Sequence, residues 1–393
     1  MGKKSKSLGL YLHIPFCTQK CNYCDFLSFP TKSELQDRYV DALEKEIIYS
    51  KDFFERYKVN TIFVGGGTPS ILLEEEVERI FAALYESFDI DKESEITVEV
   101  NPNTVTKEKI SSWKEVAINR ISIGLQSVNS DELRALGRLH TYEQFKKTYF
   151  ILRESGFSNI NIDLISGIPM QSLDSYKNTL NEVIGLSPEH ISAYSLIIEE
   201  GTKFGAIYEE SKGCSSKYGE LPSEETDRLM YELTKEMLNQ KGYHRYEISN
   251  YAKPGYECKH NLGYWERADY LGLGLGAASL IDNRRFNQTS DLSEYINRYN
   301  GDEQAMNHNP IFKGNPLSKN EQMEEFIFLG LRKTDGISMK KFQEEFGESI
   351  KKAYGKVLTK LANASLIKME GDMLSLTEKG IDVSNLVFVE FLQ

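Results

Sequence analysis

The stretch LGLYLHIPFCTQKCNYC, Leu8 to Cys24, decides how the rest of the chain is read. Leu8, Leu10, Leu12 and Ile14 alternate with Gly9, Tyr11 and His13, a period of two that predicts a strand with one apolar face. Cys17, Cys21 and Cys24 follow at once in a C-x3-C-x2-C loop. Three thiolates close together can ligate three irons of a cubane cluster and leave the fourth iron without a protein ligand. Structural zinc is the alternative. It needs four ligands, and His13, inside the strand, is the nearby candidate for the fourth.

Composition limits what such a loop can serve. The 393 residues are 40% hydrophobic, which is enough for one large core and a smaller second domain. Lys and Arg total 47 against 59 Asp and Glu, a net charge of -12, which argues against broad adhesion to nucleic acid or an anionic membrane. The charged start, MGKKSKS, runs straight into the first strand without a long apolar stretch, so a cytoplasmic protein is expected. Lys6 breaks the myristoylation pattern. Five cysteines is an odd number, and Cys214 and Cys258 stand alone, so no disulfide framework is expected. Clustered thiols in a reducing compartment point to metal instead.

Further along, apolar alternation recurs at Thr61 to Val64, Glu95 to Val100, Arg120 to Leu125, Asn159 to Ile165 and His190 to Ile197. Helical patterns fill 34–58, 74–88, 106–117, 141–155, 172–186 and 223–241. This predicts an α/β protein: a partial or complete (β/α) barrel, with a doubly wound open sheet as the competitor. Polar residues just after several strands favour the barrel, whose active sites gather at that end. The expected domains are a core at 1–242, an aromatic and Gly-rich cap or connecting region at 243–319, and a winged-helix-like domain at 320–393. The last shows no basic recognition helix, so packing or partner docking is expected of it rather than DNA binding.

The cysteine loop with Tyr23 before its last cysteine resembles the signature of the radical S-adenosylmethionine (SAM) superfamily, and VGGGTPS, Val64 to Ser70, resembles its SAM-binding glycine segment. The closest resemblance covers essentially the whole chain. It is to the branch that holds oxygen-independent coproporphyrinogen III dehydrogenase and the HemW haem chaperones. The resemblance implies a [4Fe-4S] cluster on Cys17, Cys21 and Cys24. For SAM it implies Tyr11 beside the sulfonium, Tyr23 against adenine, and Gly66, Gly67 and Thr68 at the methionyl amine. Glu99, Gln126 and Asp163 would be polar contacts, and Arg138 would pair with the carboxylate.

Within the branch, Phe26 stands where the dehydrogenase carries a further cysteine, and only a short leader precedes Leu8. HNLGYW, His260 to Trp265, matches the H-N-x-x-Y-W segment associated with haem binding in HemW proteins. His260 is then the expected axial ligand, with Asn261, Tyr264 and Trp265 as pocket residues. The preferred expectation is a haem chaperone serving a haem-acceptor protein, with SAM cleavage left open. A low-potential electron donor such as flavodoxin or ferredoxin, a transient membrane contact and a homodimer go with it. The alternative is a dehydrogenase that decarboxylates a porphyrinogen through a 5′-deoxyadenosyl radical.

Overall fold

The computed structural model describes residues 5–30, 33–208, 216–301 and 314–392. Cys214 and the leader residues 2–4 lie outside the described residues. β1 (Lys6–Ile14) is followed by a short parallel pair, β2 (Phe16–Cys17) and β3 (Phe29–Pro30), which closes the cysteine loop. Beside β1 lie β4 (Tyr57–Gly66), β5 (Asp89–Val100), β6 (Arg120–Gln126), β7 (Ile160–Ser166) and β8 (His190–Ser195), parallel and in chain order. Between them run α1 (Ser33–Ser50), α2 (Glu74–Ser87), α3 (Lys107–Glu115), α4 (Ser130–Leu136), α5 (Tyr142–Glu154) and α6 (Leu173–Leu186), and α7 (Lys203–Tyr208) and α8 (Glu224–Gln240) follow β8. Thr106, Asn129, Thr141, Ser172 and Ser223 cap five of these helices by accepting a backbone N–H of the first turn.

The period of two sorts the strands into unlike faces. Leu10 and Leu12, Ile62 and Val64, Ile96 and Val98, Ile121 and Ile123, and Ile160 and Ile162 point outward and join one core with the helices. Each such side chain contributes about 1.5–3 kcal/mol when fully buried. The inner face carries the alternate residues, and these are polar or aromatic: Tyr11, Thr61, Phe63, Glu95, Glu99, Arg120, Ser122 and Asp163 among them. That face has chemistry to offer where most barrels of this kind are filled with aliphatic groups.

The expected helix over 34–58 is shorter than its apolar spacing suggests. α1 stops at Ser50, a 3-10 turn covers Lys51–Phe53, and β4 has begun by Tyr57. Phe54, just after that turn, and Tyr57, which opens β4, pack ring to ring at 5.6 Å and continue the apolar pattern outside any helix.

The region at 243–319, expected as a cap or connecting region, contributes strands to the sheet among its described residues. This stretch extends the sheet at both edges. β9 (His244–Arg245) and β10 (Asn250–Ala252) add antiparallel beyond β8. After α9 (Lys259–Trp265), β11 (Tyr270–Leu273) pairs parallel with β1, and β12 (Ala278–Ile281), β13 (Arg284–Asn287) and β14 (Asn315–Pro316) continue antiparallel. Among the described residues the result is a twelve-stranded sheet that begins at β14 and ends at β9, a partial barrel rather than a closed one. Gly272 allows it, because a Cβ there would sit 2.2 Å from the Ala278 carbonyl oxygen. α10 (Leu292–Asn300) then packs on α1. Buried Glu46 of α1 ties this segment down by accepting from Gly274 N–H at 2.8 Å, Tyr295 at 2.6 Å and Gln288.

The C-terminal domain has its own core around Phe326, Phe342, Tyr354 and Leu374. Helices Lys319–Gly330, Met339–Phe346 and Ile350–Asn363 precede the hairpin of β16 (Ile367–Glu370) and β17 (Met373–Leu376). β15 (Ile337–Ser338), which the sequence patterning misses, completes the small sheet. The domain is winged-helix-like, as expected.

Candidate functional site

Two cavities open on the inner face, at opposite ends of the strands. Gly66 and Gly67, Glu99 and Val100, and Gln126, at the C-terminal ends of β4, β5 and β6, line a cleft of about 380 Å³ together with the cysteine loop. Thr61, Glu93 and Gly9, in the N-terminal halves of the strands, line another of about 580 Å³ with His260. Along β5 the six residues from Glu93 to Glu99 separate them by about 20 Å at the usual strand rise.

In the cleft, Cys17, Cys21 and Cys24 come together with Tyr23, Gly66, Gly67, Thr68, Glu99, Gln126, Arg138 and Asp163. A relay of hydrogen bonds fixes the sulfurs. Thr68 Oγ1 donates to Cys17 Sγ at 3.4 Å, Asn101 Nδ2 to Thr68 at 2.9 Å, Arg138 to Asn101 Oδ1 at 2.6 Å, and Arg138 again to Cys21 Sγ at 3.7 Å. Gly67 is required where it stands, since a Cβ would lie 2.6 Å from the Phe16 carbonyl oxygen. Among the described residues no three His, Cys, Asp or Glu side chains close on a single-ion position. His13 is not a fourth ligand. Its Nε2 pairs with the Leu27 carbonyl at 2.8 Å and its Nδ1 with the Tyr11 hydroxyl at 3.0 Å.

Charge and strain at the cleft fit a polar ligand that carries an anionic group. Arg138 keeps its Nε buried without an acceptor, leaving a donor for an anionic group. Gln126 holds a left-handed φ of 71° at the irregular end of β6, a strain that non-glycine residues tolerate where the surroundings demand it. Glu99 accepts from Gly66 N–H at 3.2 Å, yet burial and the nearby Asp163 carboxylate push it up to about 8. Asp163 is also raised by burial, against donors from Asn161 and Ser122. Tyr11 does not line the cleft: its hydroxyl goes to His13 and its ring stacks on Phe63 at 6.4 Å. Asn101, which joins Thr68 to Arg138, and Ile197, an exposed apolar side chain on the cleft wall, were unassigned by sequence. Asn101 was signalled only by its place just after strand residue Val100.

The HNLGYW segment folds as α9, whose N-terminus is held from inside the sheet by Glu95. That carboxylate accepts from the Cys258 thiol at 3.5 Å and from the backbone N–H groups of Lys259 and His260, each at 3.2 Å. His260 is 3% exposed and stacks on Phe63 at 5.3 Å. Both of its ring nitrogens are engaged, Nδ1 with Thr61 at 2.8 Å and Nε2 with the Tyr264 hydroxyl at 2.9 Å. Burial, helped by the Arg120 charge, lowers its pKa to about 3, so the ring is neutral. Tyr264 shares the cavity wall with it, but Asn261 and Trp265 do not. Trp265 turns to the C-terminal domain, where the Arg332 guanidinium lies 4.5 Å over its ring. Cys258 offers no thiolate, since burial pushes it to about 12.

The fold and the cysteine cleft define a class: residues 11–183 match the Radical SAM superfamily and residues 317–383 the HemN C-terminal domain. The solved structure of coproporphyrinogen III oxidase from Escherichia coli, a radical SAM enzyme, is similar with a TM-score of 0.85 at 25% identity, covering 100% of this chain and 91% of that one. The chain is 36% identical over 387 residues to the haem chaperone HemW of Lactococcus lactis, with 98% of each covered. It is 38% identical over 275 residues to that of Escherichia coli, with 70% of each covered. The chain belongs to the HemW family.

Proposed function

We propose that this protein is a haem chaperone that binds haem at His260, passes it to an acceptor protein, and carries a [4Fe-4S] cluster with exchangeable SAM. The observation that carries the reading is the neutral imidazole of His260 at the wall of a 580 Å³ cavity, at the end of the sheet away from the cysteine cleft. A neutral ring nitrogen is what haem iron takes as an axial ligand. Cys17, Cys21 and Cys24 would hold the cluster, Arg138 would meet the SAM carboxylate, and Gln126 and Asp163 its hydroxyls. Thr68, Asn101 and Arg138 keep those sulfurs oriented. A bound cluster supplies one-electron chemistry at an iron without a protein ligand. A flavodoxin or ferredoxin would reduce it. No described helix is long and apolar enough to cross a membrane. A transient membrane contact and a homodimer complete the reading.

The test is anaerobic cluster reconstitution, followed by assays for stoichiometric haem binding, haem transfer to an apo-acceptor, and coproporphyrinogen conversion with SAM and reductant. Haem retention without conversion is expected. Conversion without haem retention would sink the chaperone reading in favour of the porphyrinogen dehydrogenase.

Two finer results should follow. Coordination by His260 Nε2 has to break its bond with Tyr264, so Tyr264→Phe should tighten haem binding about fivefold, the equivalent of one ordinary hydrogen bond of roughly 1 kcal/mol. An unchanged or weaker haem titration counts against Nε2 as the ligating atom. Glu99 gains its negative charge only as pH passes about 8. SAM affinity, read by equilibrium dialysis, should therefore rise up to roughly tenfold from pH 7 to 9. Glu99→Gln should flatten that rise, and a rise that persists in the variant assigns it to another group.

A further inference from the structure

Arg120 is the first residue of β6 and faces the inside of the sheet at 2% exposure. Among the described residues its guanidinium makes no hydrogen bond or ion pair, and Nε is fully buried without an acceptor. Thr97, its register partner on β5, is completely buried with its hydroxyl also unpartnered. A guanidinium cannot escape such a position by losing its proton, and although Glu95 and Asp163 favour its charge from near by, neither hydrogen-bonds to it among the described residues. The carboxylates around it are occupied by other donors. Glu95 caps α9 and accepts from Cys258, while Asp163 accepts from Asn161 and Ser122.

Arg120 itself lines neither cavity, but its neighbours on the same face connect it to both. Two residues along the same face, Ser122 lines the cysteine cleft. On the other side the charge of Arg120 reaches His260, which lines the larger cavity. Lys259 is the lysine in the lining of that cavity, and Asp91, Glu266 and Asp269 of the same lining are paired with Lys58 at 2.8 Å, Lys333 at 2.9 Å and Lys6. We propose that Arg120 binds a carboxylate carried by a tetrapyrrole ligand, a propionate that enters the inner face of the sheet and takes the guanidinium fork, with the Thr97 hydroxyl as a further donor. The proposal rests on the haem reading above, because propionates are the acidic groups of that macrocycle. A planar fork with free N–H groups is the side chain best suited to hold one.

The experiment titrates iron(III) deuteroporphyrin and its dimethyl ester into the full-length protein and follows the Soret band. Wild type should bind the free acid at least about tenfold more tightly than the ester, as expected for a charge-assisted pair. Arg120→Gln should erase the difference by weakening the acid alone, and Arg120→Lys should restore part of it. Equal binding of acid and ester by wild type overturns the proposal and leaves the haem reading standing. Binding of neither overturns both. That comparison needs no variant, so it holds even if Arg120→Gln does not fold. A loss shared equally by acid and ester marks Arg120 as structural and overturns the proposal. Removal of the preference by saturating SAM does so too, since the fork then serves the SAM carboxylate.

Discussion

Replacing Cys24 with alanine should yield a folded chain that reconstitutes no intact [4Fe-4S] cluster and retains no SAM, even with excess iron and sulfide. Cys24 sits half-buried on the loop closed by β2 and β3 and outside the large core, so its removal should alter stability by no more than about 1 kcal/mol. The effect on the cluster should be near total, because two thiolates cannot hold a cubane that relies on three, and the Thr68, Asn101 and Arg138 relay orients only Cys17 and Cys21. Iron content, visible absorbance and electron paramagnetic resonance check it. A normal cluster with bound SAM in the variant would overturn the assignment of the cleft.

His260→Ala should have the second large effect, on haem alone. Outer-shell changes at metal sites cost roughly 10–100-fold in affinity, and loss of the ligand itself should exceed that range. The cluster spectrum should stay unchanged, because α9 contacts the N-terminal halves of the strands while the sulfurs lie beyond their C-terminal ends. Wild-type haem binding should be flat between pH 6 and 8. A ring held at about 3 does not titrate there, whereas an exposed histidine would change charge in the middle of that range. Undiminished haem affinity in His260→Ala removes the residue from the site.

Much of this arrangement was legible in local sequence. The alternation in LGLYLHI showed which side of β1 meets the core, and the cysteine spacing, with the glycine segment after β4, located the cleft. Contacts between distant segments were not legible. Nothing in LGLGLGAASL says that Leu271 pairs with Leu10, since glycines chosen for close backbone approach hide the strand pattern. Tyr11, expected beside the sulfonium, has its hydroxyl paired with His13 two residues away, a contact that the alternation does not announce. Trp265 was read as a neighbour of His260 in the pocket, but five residues further along a helix its side chain points elsewhere and meets Arg332. Asn261 likewise lies off the cavity wall.

Placing the two cavities at opposite ends of one polar face has a thermodynamic consequence. A protein with both sites filled obeys reciprocity: the factor by which SAM alters haem affinity is the factor by which haem alters SAM affinity. Haem release could then be driven by exchange at the cleft only to the extent that loading haem loosens SAM. Measuring either affinity with and without the other ligand determines the whole coupling between them.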